Sequence, residues 1–140
     1  MIGRIGIVIF ISVLFVSCKK EANLSSNMEE TIYIRNNGSD MPAFIYGNGA
    51  SKVFILLLHG GPGGNGLDYR LGKFKDKLEE KYAMVYWDQR HQGNSHGHLS
   101  QNEVTIDAMV EDTYVLVQTL KQRYGSCLLY TSDAADDDAC

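Results

Sequence analysis

The sequence has few of the residues that stabilise disulfide-rich or metal-binding domains. Its 140 residues include three cysteines, Cys18, Cys127 and Cys140, and two prolines. No cysteine lies within the stretch whose pattern indicates a folded domain. We therefore expect neither a disulfide framework nor a zinc site, and the length favours a single domain.

A strong charge of one sign is also missing from the folded part. The formal net charge is -4, and four acidic residues near the C-terminus account for it: Asp133, Asp136, Asp137 and Asp138. Without a basic surface there is no electrostatic footprint for nucleic acid. The hydrophobic share of 44% argues against disorder.

The N-terminus is typical of an exported bacterial lipoprotein. Arg4 precedes an apolar run over residues 5–16, which is shorter than the roughly 20 residues of a transmembrane helix. A small residue and then Cys18 follow, which resembles a lipoprotein cleavage site. The pattern predicts a signal peptide over residues 1–17, a lipid anchor on Cys18 in the cell envelope, and a polar tether over residues 18–30.

Residues 31–126 alternate between strand and helix patterns, which predicts an α/β fold. The predicted strands are Thr31–Arg35, Met41–Tyr46, Val53–Leu58 and Ala83–Trp87. The first two are candidates for a hairpin, and the later ones for a parallel sheet with crossover helices. One helix is predicted over residues 67–82 and a second after Thr105, which is a good N-cap, up to Gly125.

The predicted apolar faces of the helices follow from the spacing of their hydrophobic residues. The first face comprises Leu67, Leu71, Phe74, Leu78 and Tyr82, and the second comprises Ile106, Met109, Val110, Leu116, Val117, Leu120 and Tyr124. A third parallel strand should follow Gly125, and we expect none in the given chain.

The reason is the nature of the C-terminal stretch. Residues 127–137 resemble the translation of a sequencing-library adapter. We interpret residues 127–140 as adapter-derived, so that residues 31–126 are a partial domain whose natural sequence breaks off near Ser126. The alternative is a genuinely short lipoprotein that ends near Cys140.

The motif His59-Gly60-Gly61-Pro62-Gly63 follows the buried third strand and precedes a helix. Ester or amide hydrolysis passes through an oxyanion, which backbone N–H groups stabilise. Such groups reach a substrate closely only where no bulky side chain intervenes, and glycine meets that condition. The motif lacks the Lys-Ser/Thr of a phosphate-binding P-loop. It therefore predicts an oxyanion loop.

A second motif follows the fourth strand, with Trp87, Asp88, Gln89 and Arg90 at its start. His-Gly-Gly-Pro-Gly together with Asp-Gln-Arg-x-x-Gly-x-Ser resembles the proline iminopeptidases and their α/β-hydrolase relatives. The resemblance covers roughly residues 31–125. The family usually has glycine where His91 stands.

The resemblance implies a serine hydrolase that needs no cofactor, often an aminopeptidase that releases N-terminal proline, with a small peptide or ester as its substrate. It places Gly60 and Gly61 in the oxyanion loop. It also places Asp88, Gln89 and Arg90 in a loop that shapes the site. The simpler interpretation of Asp88 and Arg90 is that they form ion pairs that brace this loop.

Three other features have simpler interpretations. Ser95 lies in a Gly-x-Ser-x-Gly sequence, but the polar loop after it does not fit a strand–turn–helix nucleophile elbow. His91, His96 and His98 lack an acidic or cysteine ligand at suitable spacing, so a solvated loop is favoured over a metal site. His59 is expected to organise the oxyanion loop, because the triad histidine of this fold comes later in the chain.

All three triad residues are therefore expected beyond Ser126, and the given chain is expected to be inactive. An epoxide hydrolase or dehalogenase, with an aspartate nucleophile on the same fold, is the first alternative. A lipid-anchored binding protein on a non-catalytic hydrolase scaffold is the second.

Overall fold

The computed structural model describes residues 23–60, 63–97, 100–125 and 127–131. The predicted signal peptide, Cys18, Gly61, Pro62, His98 and residues 132–140 lie outside this part of the chain. The strands and α-helices of this part are, in chain order, β1 (Met28–Asn36), β2 (Ser39–Gly47), β3 (Val53–Leu57), α1 (Gly72–Lys81), β4 (Ala83–Trp87), β5 (His96–Gly97), α2 (Ile106–Tyr124) and β6 (Cys127–Thr131).

The sheet order is β1-β2-β4-β3-β6, with the short β5 paired to β2. The first two strands form the expected antiparallel hairpin, because Asn37 and Gly38 both adopt positive φ, at 44° and 78°. Positive φ at both central residues matches the strand twist. β3 runs parallel to β4, and their carboxyl ends therefore meet at one edge.

The two helices cover opposite faces of this sheet. Leu116, Val117, Leu120 and Tyr124 of α2 join the larger buried cluster with residues of β1, β2, β3 and β4. The smaller cluster lies on the other face around Ile55 and includes residues that precede and follow α1. The expected α/β fold, a hairpin followed by parallel strands with crossover helices, is therefore confirmed.

Local chemistry sets the ends of α2 as predicted. The Thr105 hydroxyl accepts a hydrogen bond from the Ala108 amide at 3.2 Å, which satisfies one of the unpaired amides of the first turn. Gly125 ends the helix with φ 61°, the left-handed conformation that glycine adopts at little cost.

The single helix predicted over residues 67–82 is wrong. A short 3-10 turn, Gly66–Tyr69, comes first, and α1 begins only at Gly72. Gly72 has φ 70°, which breaks the helical path between the two segments. Leu71 lies at that break and is 71% exposed, so it is not part of an apolar face.

The apolar face predicted for α2 is only partly correct. Its C-terminal half is buried, but Ile106 and Val110 in its first turns are 80% and 63% exposed. Helical spacing identifies one side of a helix and carries no information on how far the sheet extends beneath it.

Two further boundaries differ from the prediction. β1 begins at Met28, so the boundary expected at residue 31 lies inside a strand. The segment between the predicted strand Ala83–Trp87 and the helix predicted after Thr105 contains β5 and a 3-10 turn at Gln101–Glu103.

The expectation that no strand follows Gly125 is also wrong. β6 pairs in parallel with β3, with Val53 opposite Cys127 and Leu57 opposite Thr131. An apolar pentapeptide with strand propensity pairs with an open sheet edge whatever its origin, because that edge presents unpaired N–H and C=O groups. This pairing therefore does not decide whether residues 127–140 are adapter-derived.

Candidate functional site

The glycine-rich motif leaves the sheet where β3 ends. His59 and Gly60 come two and three residues after the last residue of β3. Gly63 has φ 89°, a conformation that a side chain disfavours. The loop therefore runs across the carboxyl edge of the sheet, where α/β folds place their ligands.

The His59 side chain lies under this loop and is only 5% exposed. Neither ring nitrogen has a hydrogen-bond partner among the described residues. A Cβ on Gly64 would lie 3.4 Å from His59 Nδ1, an ordinary van der Waals contact, so the loop packs against the ring. This position fits the predicted role of His59 in organising the loop.

Asp88 connects the second motif to the segment after the glycine loop. Its Oδ1 accepts a hydrogen bond from the Gly66 amide at 2.6 Å. Its Oδ2 accepts from the Asn94 amide at 2.7 Å and from the Asn94 side chain at 3.0 Å. A Cβ at Gly93 would lie 2.3 Å from Asp88 Oδ2, which explains why glycine stands at that position of the motif.

Gln89 holds the other end of the same loop. Its Nε2 donates to the carbonyl oxygen of His59 at 2.8 Å. Neighbouring residues of one motif therefore bind the beginning of the other motif and the segment that follows it.

Arg90 forms a buried ion pair with Asp112 of α2. Arg90 Nε and Nη2 donate to the two carboxylate oxygens at 2.5 and 2.7 Å, and Asn36 donates to the same carboxylate at 2.8 Å. These bonds raise the pKa of Arg90 above its ordinary value. Bracing by an ion pair, as predicted, therefore applies to Arg90, whereas backbone and amide groups surround Asp88.

Asp112 was missed by sequence reasoning, although a signal was present. It lies between Met109 and Leu116 on the predicted apolar stripe of α2, and it is fully buried. A lone acidic residue in an apolar stripe indicates a buried basic partner elsewhere in the chain.

Trp87, which begins the second motif, also ends the predicted strand Ala83–Trp87, and the structure places it in that strand. It is the last residue of β4 and packs in the larger hydrophobic cluster. Its side chain therefore supports the site from within the sheet and does not line it.

A cavity of about 710 Å³ opens beside the glycine loop. Its floor includes His59, Gly60 and Gln89, and its walls are Leu57, Leu58, Tyr69, Ile106, Met109, Val110 and Thr113. None of these lining residues is Asp, Glu, Lys or Arg. The cavity is of the size that binds small organic molecules, and its lining suits neutral groups.

Ser95 is placed away from this cavity. Its Oγ accepts a hydrogen bond from the Gln92 amide at 2.9 Å, and it borders a separate cavity of about 160 Å³ with Ser39, His91, His96 and Gly97. β5 follows it immediately, and α2 begins only at Ile106. This is not the strand–turn–helix geometry of a nucleophile elbow.

His91 keeps the backbone conformation that the resemblance associates with glycine. Its φ is 58°, in the left-handed region that costs other residues roughly 1–2 kcal/mol. Glycine would adopt this conformation with less strain than His91 does. Among the described residues, no group of three His, Cys, Asp or Glu side chains is arranged to hold a metal ion.

Comparison with known proteins gives similar sequences and a similar structure. The chain is 32% identical over 87 residues to “Probable aminopeptidase YbaC” of Bacillus subtilis, covering 61% of the chain and 27% of that protein. It is 37% identical over 81 residues to a lysophosphatidylserine lipase of Danio rerio, covering 58% of the chain and 20% of that protein. No protein-family model matches the chain.

Among solved structures, a proline iminopeptidase-related protein from Thermus thermophilus superposes with a TM-score of 0.57 and 33% identity. The match covers 74% of this chain and 36% of that one. The chain thus spans less than half the length of each of these relatives.

Proposed function

The chain has the fold of part of an α/β-hydrolase, and from this we propose that the protein to which it belongs is a serine hydrolase, of the proline iminopeptidase-like aminopeptidase type, that acts on small amide or ester substrates. The observation that carries the proposal is the glycine loop beside the 710 Å³ cavity, held at both ends by Asp88 and Gln89. The similarity of the chain to an aminopeptidase and to a proline iminopeptidase-related protein supports the same reaction class.

In the proposed mechanism, a serine activated by a histidine attacks the substrate carbonyl. Amides of the loop at Gly60 and Gly61 stabilise the oxyanion, together with the amide after the nucleophile. The acyl-enzyme is then hydrolysed by water. We place the nucleophile, the acid and the histidine beyond Ser126, because Ser95 has neither the elbow geometry nor a place in the cavity.

The proposal is tested by sequencing the source genome across the codon for Ser126. A reading frame that continues into a strand and a Gly-x-Ser-x-Gly elbow supports the proposal. The continued protein should then cleave proline p-nitroanilide, and replacement of the elbow serine by alanine should abolish cleavage. If the codons for residues 127–140 are genomic and a stop codon follows them, triad hydrolysis is the wrong reaction.

A second candidate is an ester hydrolase with an apolar substrate. The walls of the cavity are mainly apolar, and among its lining residues no carboxylate is available to bind the amine of a peptide N-terminus. The similarity to a lipase agrees with this. The continued protein decides between the candidates, since p-nitrophenyl butyrate turnover without proline p-nitroanilide turnover favours the esterase.

The 140-residue chain itself should hydrolyse neither substrate at a useful rate, because among the described residues no serine lies at a nucleophile elbow beside the cavity, and an oxyanion donor alone supplies only a small part of the catalysis. Turnover of proline p-nitroanilide by the chain, lost in Ser95→Ala, would contradict this assignment. Ser100→Ala, a serine in the same part of the chain that does not line the small cavity, is the matched control.

We also propose that the protein is exported and anchored to the bacterial cell envelope through lipid on Cys18. The support is the sequence pattern of residues 1–18. As a separate finding, the described part of the chain has no helix that is long and apolar enough to cross a membrane. Labelled palmitate should enter the wild-type chain and not Cys18→Ser. Equal labelling of both would refute the anchor.

A further inference from the structure

One peptide group beside the cavity accepts a hydrogen bond from a buried side chain. Gln89 Nε2 donates to the carbonyl oxygen of His59 at 2.8 Å. That carbonyl and the amide of Gly60 belong to the same peptide unit. His59, Gly60 and Gln89 all line the cavity, so the bond lies at the site itself.

Because of the geometry of the peptide unit, this hydrogen bond also orients the Gly60 N–H. The unit is planar and trans, so its C=O and N–H point in opposite directions. A donor that holds the His59 carbonyl therefore also determines where the Gly60 N–H points. Without this donor little else prevents rotation, because a Cβ at Gly60 would meet nothing within 4 Å and glycine permits both signs of φ.

Only a donor suits this position. The amide of Gln89 offers N–H groups to a carbonyl, whereas a glutamate would present acceptors alone and repel it. Gln89 is 9% exposed, so the bond is largely shielded from competing water. The bond from the Gly66 amide to Asp88 at 2.6 Å fixes the segment after the loop, but it does not orient the His59–Gly60 peptide unit.

We propose that Gln89 is a positioning residue that locks the His59–Gly60 peptide plane, so that the Gly60 amide faces the cavity. This deepens the proposed function, on which its catalytic meaning rests, since an oxyanion donor works only if it is aimed before the charge develops. It also explains why the two motifs occur together in one chain.

Gln92 provides a matched control. It lies in the same loop, it is also a glutamine, and its exposure of 8% equals that of Gln89 within one per cent. Its side-chain Oε1 has no hydrogen-bond partner among the described residues. Gln92→Met therefore reproduces the loss of a buried amide without touching the His59 carbonyl.

The first test uses NMR on the full chain. In the wild type, a through-hydrogen-bond coupling between Gln89 Nε2 and the His59 carbonyl carbon should be detectable, and the Gly60 amide should have an order parameter close to that of β3. In Gln89→Met the Gly60 amide should become mobile or split into two states, while Gln92→Met should leave it unchanged. If the wild type shows a mobile Gly60 amide and no coupling, the proposal is overturned, even if no variant folds. An unchanged Gly60 amide in Gln89→Met overturns it as well.

The second test uses the protein encoded by the continued frame. Gln89→Met should lower kcat by about ten- to a hundredfold, below the loss for a whole oxyanion donor, with KM nearly unchanged. Gln92→Met should stay within about twofold of the wild type. A protein without any turnover refutes the proposed reaction and leaves the NMR result standing, whereas normal kcat in Gln89→Met with normal turnover of the wild type refutes the positioning role.

Discussion

Arg90→Met should be among the most destabilising substitutions in this chain. The Arg90 and Asp112 side chains are 2% and 0% exposed and are joined at 2.5 Å. Removing the guanidinium leaves the carboxylate buried, with the Asn36 amide at 2.8 Å as its remaining hydrogen-bond donor. Breaking a buried pair from one side costs about 3–5 kcal/mol, a large part of the roughly 5–15 kcal/mol that holds a domain folded.

The double variant Arg90→Met/Asp112→Leu removes both charges. It therefore separates the loss of the ion pair itself from the cost of leaving one buried charge without its partner. With both charges gone, no uncompensated ion remains in the core, and apolar replacements of similar volume are often neutral. The Asn36 amide then loses its acceptor, which costs about 1–3 kcal/mol. We therefore expect the double variant to be more stable than Arg90→Met.

Arg35→Met is the matched control, because Arg35 also binds a carboxylate through two nitrogens, at 2.6 and 3.0 Å to Asp40. Its side chain is 81% exposed, and exposed pairs contribute little. Urea unfolding followed by tryptophan fluorescence should show a large fall in the midpoint for Arg90→Met and almost none for Arg35→Met. Equal midpoints for Arg90→Met and Arg35→Met would refute the reasoning. So would a double variant that is less stable than both Arg90→Met and Asp112→Leu.

Two glycine-related substitutions test the loop after β4 and are measured by the same unfolding assay. His91→Gly should stabilise the chain by about 0.5–1 kcal/mol, because it removes the strain at φ 58° and part of the gain is lost to the unfolded-state entropy of glycine; a fall in stability would contradict the left-handed conformation. Gly93→Ala should destabilise by more than about 2 kcal/mol, since its Cβ would lie 2.3 Å from Asp88 Oδ2 in addition to the strain at positive φ. Gly72→Ala is the control, with φ 70° and nothing within 4 Å of a Cβ, and it should cost only the strain of about 1 kcal/mol; equal losses at the two glycines would show that Asp88 is not so close.

Much of the fold is predictable from short stretches of sequence because neighbouring residues decide it. The apolar run of β3, the turn at Asn37-Gly38 and the caps of α2 at Thr105 and Gly125 all appear where their local chemistry indicates. Each depends on backbone conformations and hydrogen bonds within a few residues.

Errors arise where a pattern depends on what packs against it. The spacing of Leu71 and Ile106 matches that of buried residues, yet both are exposed. The period of the hydrophobic residues identifies the apolar face of a helix or strand. That face is buried only if a second element packs against it. The break at Gly72 was missed for a related reason, since a glycine within an apolar period is compatible with both a continuous helix and a stop.

The sequence by itself determined the α/β class, the place of the glycine loop after a buried strand and the resemblance that links the two motifs. Only the tertiary structure decided which groups meet: Gln89 with the carbonyl of His59 across 30 positions, and Arg90 with Asp112 across 22. The physical reason is that such partners depend on the placement of β3 beside β4 and of α2 across the sheet. That placement follows from burying apolar surface over the whole domain and not from the conformational preference of any one segment.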